Sequence, residues 1–267
     1  MPTLLILFSF LFGLLSIEKT HFFIIIFLNE DGMRILCISD TTRSLAFSSN
    51  VKEIYKNVDL ILSCGDMPLE SYDYVSTMLN RDLCYVYGNH NLKDFKKALN
   101  KDDAIFKNVL KSRDQELAYQ KFYGFMIDGK CYRDKKTGLL IAGLGGSMNY
   151  NGGDSQYTER QMRLRILRLI PQLLYNKRKY GRYLDILITH APPFGLGDGP
   201  DLCHKGFRCF LRFIDRFQPK YLLHGHVHLD DRNAPRENVR GKTKIINVYG
   251  ALLLEDEALG TTKAGGR

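Results

Sequence analysis

Five apolar runs in this chain end in the same way: a short strand-like stretch stops at a polar break built from Gly, Asp, Asn or His. Residues 34–39 lead to Asp40, 59–64 to Gly65-Asp66, and 83–87 to Gly88-Asn89-His90-Asn91. Residues 184–189 lead to His190-Ala191-Pro192-Pro193, and 220–223 to His224-Gly225-His226-Val227-His228. An amphipathic stretch follows the first run and the pattern at 70–79 is helical, so strands and helices alternate as in parallel βαβ units. In an open α/β sheet, strand ends of this kind converge on one crevice, which is where ligands bind.

Taken singly, each break has a bland explanation. Asp40 before Thr41-Thr42 is a possible helix N-cap, and Gly65-Asp66 and Gly88-Asn89 are common turn dipeptides. Five breaks in order, each at a strand end, make joint coincidence a poor account. Two carboxylates (Asp40, Asp66), an amide (Asn89) and three imidazoles from among His90, His190, His226 and His228, with one histidine to spare, suit a pair of divalent cations, with Asp66 able to bridge them.

The 267-residue chain is long enough for a full core, and its 45% hydrophobic and 25% charged residues are ordinary for a globular protein. A net charge of +9 suits a polyanionic partner, but much of the excess is local. Arg160, Arg163, Arg165, Arg168, Lys177, Arg178, Lys179 and Arg182 crowd one segment. Met162, Ile166, Leu169, Ile170 and Leu173 fall at helical spacing there, so the arginines read as the solvated side of an amphipathic helix. A nucleic-acid surface has no aromatic interleaving or binding motif to support it. The six cysteines form no CxxC pair, and a reducing, cytoplasmic setting is expected.

Residues 1–32 form a hydrophobic extension, with no charged side chain in 1–17. We favour translation starting at Met33, with a membrane anchor second and a cleaved signal third; membrane contact is expected only if residues 1–28 are translated. Residues 92–115 are polar and expected to be helical. Residues 126–134 and 139–144 read as a hairpin about a turn at 135–138, and 145–153 as a long flexible loop. The basic helix begins at a Thr158/Gln161 capping box, and Pro171 is expected to kink or divide it. Residues 243–249 and 251–254 read as a closing hairpin, and the tail 257–267 as disordered towards its end.

The polar breaks together resemble the calcineurin-like metallophosphoesterase superfamily. Its pattern is Asp-x-His, Gly-Asp, Gly-Asn-His-Asp/Glu, a lone His after a strand, and Gly-His-x-His. This chain has Asp40-Thr41-Thr42, Gly65-Asp66, Gly88-Asn89-His90-Asn91, Thr189-His190 and Gly225-His226-Val227-His228. The resemblance covers residues 33–256 and implies an α/β fold, a β-sandwich of two mixed sheets flanked by helices. It implies one or two divalent transition-metal ions (Mn, Fe or Zn). Asp40, Asp66 and His228 would hold one ion; Asp66, Asn89, His190 and His226 would hold the other. His90 would face the phosphate and protonate the leaving oxygen while a metal-activated water attacks phosphorus.

The chain departs from that pattern twice. Thr42 stands where the family has His, which lowers the expected affinity of the first ion site. Asn91 replaces the acid that acts on the neighbouring histidine in the family, so the alignment of His90 is open. His224 is open between a supporting role, phosphate contact and structure. His204 lies on a loop able to cap the site, and 145–150 could form another wall. The expected function is phosphoester hydrolysis, of a monoester or a diester, on a phosphorylated small molecule or protein. The alternatives are a degenerate metal-binding module that captures a phosphorylated ligand or protein, and a nucleic-acid phosphodiesterase.

Overall fold

Strands that must bury both faces read as continuous apolar runs rather than alternating ones, and that is how the central strands here are built. A computed structural model describes residues 32–42, 50–91, 124–229, 231, 234–257 and 259. The extension through residue 31, the helix expected at 92–115 and the tail from 260 lie outside the described residues.

The first sheet contains β1 (Met33–Ser39), β2 (Leu60–Ser63), β3 (Leu83–Tyr85), β4 (Phe125–Met126) and β13 (Gly250–Asp256), ordered β13-β1-β2-β3-β4. Strands β1 to β4 run parallel, and β13 closes the edge antiparallel to β1 from Met33↔Asp256 to Ser39↔Gly250. The second sheet is ordered β11-β12-β10-β9-β6-β5. Its members are β5 (Cys131–Arg133), β6 (Leu140–Leu144), β9 (Ile186–Thr189), β10 (Tyr221–His224), β11 (Glu237–Arg240) and β12 (Thr243–Asn247). Its four central strands are parallel and its two edge strands antiparallel. Both sheets are therefore mixed, as expected.

Successive residues of each central strand point to opposite faces. Ile35, Cys37, Leu60 and Leu62 meet Ile186, Ile188, Leu223 and Ile246 in the core between the sheets. Leu36, Ile38 and Ile61 face outward onto Tyr72 and Val75 of helix α2 (Leu69–Leu79), which follows the one-turn α1 (Val51–Ile54). Leu187 and Leu222 of the second sheet are covered by α3 (Glu159–Tyr180) and α4 (Arg208–Phe217), through Met162, Leu169, Phe210 and Phe213. Each such buried aliphatic or aromatic side chain contributes roughly 1.5–3 kcal/mol, and helices on both outer faces complete the layers.

Four expectations need correction. The first arm of the 126–144 hairpin is split: Phe125–Met126 joins the first sheet beside β3, and only Cys131–Arg133 pairs antiparallel with β6. Asp128 makes the change of sheet possible, accepting from Gly145 N–H and pairing with Arg165. The closing hairpin is also absent. Strand β12 pairs with β10 and β11, whereas β13 crosses to β1, with Val248 buried between the sheets at the crossing. Residues 145–157 are not a loose loop, because β7 (Ser147–Met148) pairs with β8 (Gln156–Tyr157). Gln156 Oε1 there accepts from the N–H groups of Tyr150 and Asn151. Finally, α3 runs unbroken for 22 residues through Pro171, held by its Thr158/Gln161 capping box and a left-handed Gly181 at its end.

Candidate metal centre

The polar breaks follow the C-terminal ends of β1, β2 and β3 in one sheet and of β9 and β10 in the other. Three of the residues they carry adopt left-handed backbone conformations: Asp40 (φ 66), Asp66 (φ 55) and His226 (φ 67). Such values are uncommon outside glycine and persist only where the surroundings impose them. Asp40 N–H donates to Gly65 O (3.1 Å), and the Asp40 carboxylate accepts from His226 N–H (3.0 Å), stitching the two sheets together.

Neighbouring glycines let these turns nest. A Cβ on Gly88 would lie 2.1 Å from Asp66 Oδ1, and one on Gly225 would lie 2.0 Å from Ser39 Oγ and 2.3 Å from Asp40 Oδ2. The glycine in each motif is a steric requirement of the carboxylate beside it.

Asp66 Oδ1 accepts from His90 N–H (2.9 Å) and Asn91 N–H (3.3 Å), leaving Oδ2 to face His190 Nε2 at 3.2 Å. Asn89 spends its Nδ2 on the Tyr150 hydroxyl (3.2 Å), which turns Oδ1 onto the same His190 Nε2 at 3.0 Å. His190 Nδ1–H donates to Cys64 O (2.8 Å), so the lone pair of a neutral ring sits on Nε2. Ligand atoms of Asp40, Asp66 and His190 all lie within 4.8 Å of one another. Three acceptors thus converge where only a cation, either a proton or a metal ion, can satisfy them. That donor set fits a borderline divalent ion, and the Cys64 carbonyl is the kind of outer hydrogen bond that orients a ligating imidazole.

His226 extends the set from the second sheet. Its Nε2–H donates to Cys203 O (2.7 Å), so Nδ1 carries the lone pair, and its ring centroid lies 4.8 Å from that of His190. His228 is looser: it is 56% exposed, with Nε2 3.8 Å from Asp40 Oδ1 and its ring 4.8 Å from that of Tyr249. Thr42 is half-buried. A cavity of about 300 Å³ is lined by Asp40, Asp66, His90, Cys203, His204, His226 and His228.

Electrostatics in the metal-free chain follow from this packing. Burial alone would lower the His190 pKa, but the Asp66 carboxylate raises it to about 9. Burial would raise Asp66, but the charge and hydrogen bond of His190 and the N–H of His90 hold it down at about 2. Burial pushes Asp40 upward. Burial, with the charge of His190, lowers His226 to about 3 and keeps it neutral.

All seven residues expected from the sequence therefore lie at one seam: Asp40, Asp66, Asn89, His190, His226 and His228 around the acceptor cluster, and His90 at the cavity wall. Asn91 has a different place from the one the family pattern implies. Its Oδ1 accepts from Asp66 N–H (2.7 Å) and Gly88 N–H (2.8 Å), and its Nδ2 donates to Met67 O (3.0 Å). It joins two turns and acts on His90 only through the backbone. His224 is fully buried and is not among the residues lining the cavity; its Nδ1–H donates to Gly225 O (3.0 Å). His204 does line the cavity, with Nδ1 2.8 Å from Asp201 Oδ2 and its ring 5.2 Å from that of His226. The part played by the Cys203 carbonyl had no signal in the sequence, because any residue supplies a carbonyl.

Comparison with known proteins places these motifs. No curated protein matches the chain. Among solved structures, the crystal structure of TT1561 of Thermus thermophilus is similar over 85% of this chain and 99% of that one, at 14% identity and a TM-score of 0.49. The family model described as calcineurin-like phosphoesterase matches residues 33–230, a span that begins at β1 and takes in every polar break described above. On that match, covering most of its length, the chain belongs to the calcineurin-like phosphoesterase family.

Proposed function

We propose that the protein is a metal-dependent phosphoester hydrolase. The observation that carries this reading is the convergence of Asp66 Oδ2, Asn89 Oδ1 and His190 Nε2, two oxygens and a nitrogen with no donor among them in the neutral-histidine state. Asp66, Asn89, His190 and His226 would hold one divalent ion; Asp40, Asp66 and His228 would hold a second, more weakly because Thr42 offers only a neutral hydroxyl. A bound Mn, Fe or Zn ion supplies Lewis acidity toward phosphoryl oxygens and activates water for attack. The chain's own residues do the rest. Asp40 and Asp66 concentrate negative charge, the neutral ring of His190 presents its Nε2 lone pair to Asp66, and the neutral ring of His226 stands beside it. His90, anchored by its N–H on Asp66 Oδ1, extends an exposed ring toward the cavity to protonate the leaving oxygen. A cavity of about 300 Å³ suits a phosphoryl group with a small leaving group, or the phosphorylated tip of a larger substrate.

The test is metal analysis coupled to hydrolysis of aryl phosphomonoesters and diesters across added divalent ions. Turnover should appear with a transition metal and fall at least about a hundredfold in both Asp66→Asn and His90→Ala, as loss of a ligand or a general acid warrants. Hydrolysis that survives both changes would remove the site assignment. A second reading, a binding module for a phosphorylated ligand, is favoured by one feature, Thr42. No turnover with any metal, in a folded protein that still binds phosphate, selects it. Thr42→His should raise metal content or rate if the missing imidazole is limiting.

All six cysteines are free thiols, which supports a reducing compartment such as the cytoplasm. Among the described residues, no helix is long and apolar enough to cross a membrane.

A further inference from the structure

Helix α3 is apolar on two sides. Met162, Ile166, Leu169 and Leu173 are buried against the second sheet. Away from that side, Leu164, Leu167 and Leu174 are 48%, 56% and 50% exposed, and Tyr175 is 48% exposed. With Pro171, the three leucines fall at spacings of three, four and three residues, which places them in one stripe on an α-helix. The outer side was expected to be simply the solvated, arginine-bearing one. It instead carries four of the seven large hydrophobic side chains that are exposed among the described residues.

The charges bordering the stripe are positive except at its N-terminal end, where Glu159 pairs with Arg163 (3.6 Å). Arg160 and Arg163 stand at its N-terminal end, Arg168 beside its middle, and Lys177, Arg178 and Lys179 at its C-terminal end, all exposed. Glu159 is the single acid in the helix. Lys177 and Lys179 also bond Gly181 O and the Tyr175 hydroxyl while remaining exposed, whereas Arg165 turns inward to Asp128, Gly145 O and the ring of Tyr157.

We propose that the outer face of α3 docks on an anionic phospholipid bilayer, with the leucine stripe entering the acyl boundary and the flanking cations meeting lipid headgroups. An apolar stripe bordered by Lys and Arg matches a surface that is apolar at depth and negative at its rim. Long basic side chains reach outward while their stems lie along apolar surface. Other occupants satisfy only half of the pattern. A second copy meeting this face would bring two sets of arginines together. A nucleic acid would use the cations and leave the leucines in water. The apolar sequence of residues 1–28 would add to such binding, but the stripe does not depend on it.

The chain contains no tryptophan, so a single substitution makes a site-specific reporter. In the full-length Leu167→Trp variant, vesicles of phosphatidylcholine mixed with phosphatidylglycerol should shift the emission to shorter wavelength, and brominated acyl chains should quench it. Vesicles of phosphatidylcholine alone should give a markedly smaller response. Adding Leu164→Gln and Leu174→Gln should weaken partitioning at least about tenfold, the loss expected on removing two buried aliphatic side chains. An unchanged melting temperature shows that the fold is intact; should the triple variant not fold, the parent Leu167→Trp measurement decides alone. Vesicle binding with water-like Trp emission would mean that residues 1–28 carry the interaction, and overturns the proposal. So does an absence of vesicle binding, an equal response on neutral lipid, or a dimer in light scattering that the leucine changes abolish.

Discussion

At the scale of single residues, the buried amide of Asn91 ties the Asp66 turn to the Gly88–His90 turn by accepting from two backbone N–H groups and donating to Met67 O. A carboxylate could accept the same two bonds but would face the Met67 carbonyl with an acceptor of its own. The replacement of the family's acid by Asn therefore has a local reason in this chain. Asn91→Ala strands both N–H groups in a buried place and should cost roughly 2–4 kcal/mol in denaturant unfolding, with weaker metal binding because Asp66 loses its support. An unchanged unfolding midpoint would mean that water reaches those groups and that the amide is not what shapes the turn.

At the scale of elements, α3 shows packing overriding a local signal. Pro171 cannot donate to Leu167 O, and a proline inside a helix is expected to break it. The helix continues because its inner side is fixed on both sides of the break, by Met162, Ile166 and Leu169 before it and Leu173 after it. Pro171 itself faces outward and is exposed. Pro171→Ala should accordingly raise stability by about 1–3 kcal/mol, seen as a higher melting temperature, with no change of fold. A lower melting temperature would show that the proline shapes the helix to the curvature of its sheet. The two apolar pairs with hairpin-like turns carry the same lesson. A turn between apolar runs looks alike whether the runs pair with each other or, as for β12 and β13, leave for different sheets.

At the scale of the whole molecule, the centre is a seam. Asp40, Asp66 and Asn89 come from the first sheet, and His190, His226 and His228 from the second. A metal ion bound there would join the two layers and stabilise the fold, by about 2.7 kcal/mol at a hundredfold excess over its Kd. Without metal, the Asp66–His190 pair performs that joining, and its pH dependence has a definite sign. His190 is raised from 6.5 to about 9, so its contribution is complete below pH 6.5 and is lost as pH rises through 9. Asp66 is lowered from 3.8 to about 2, so its contribution is complete above pH 3.8 and is lost as pH falls through 2. The metal-free chain should thus be best stabilised by this pair between pH 3.8 and 6.5 and should lose melting temperature toward pH 9. Metal-loaded protein should hold its melting temperature there, and loading at pH 7 should release a proton into the buffer, readable by calorimetry in buffers of different ionisation heat. A metal-free melting temperature that climbs from pH 6.5 to 9 would contradict this account.

The sequence by itself determined the strands that end in polar breaks, the positions of those breaks and the identity of the side chains they carry. Strand burial and the need for Gly, Asp, Asn and His at tight turns are local demands, and local demands leave local patterns. Only the tertiary structure decided how the breaks meet: that Asn89 and Asp66 aim at one nitrogen of His190, that Asn91 turns away from His90, and that Cys203 lends a carbonyl to His226. It also decided which strands pair and which side of α3 stays uncovered. Those facts depend on contacts between residues far apart in the chain, and a pattern of neighbours carries no record of them.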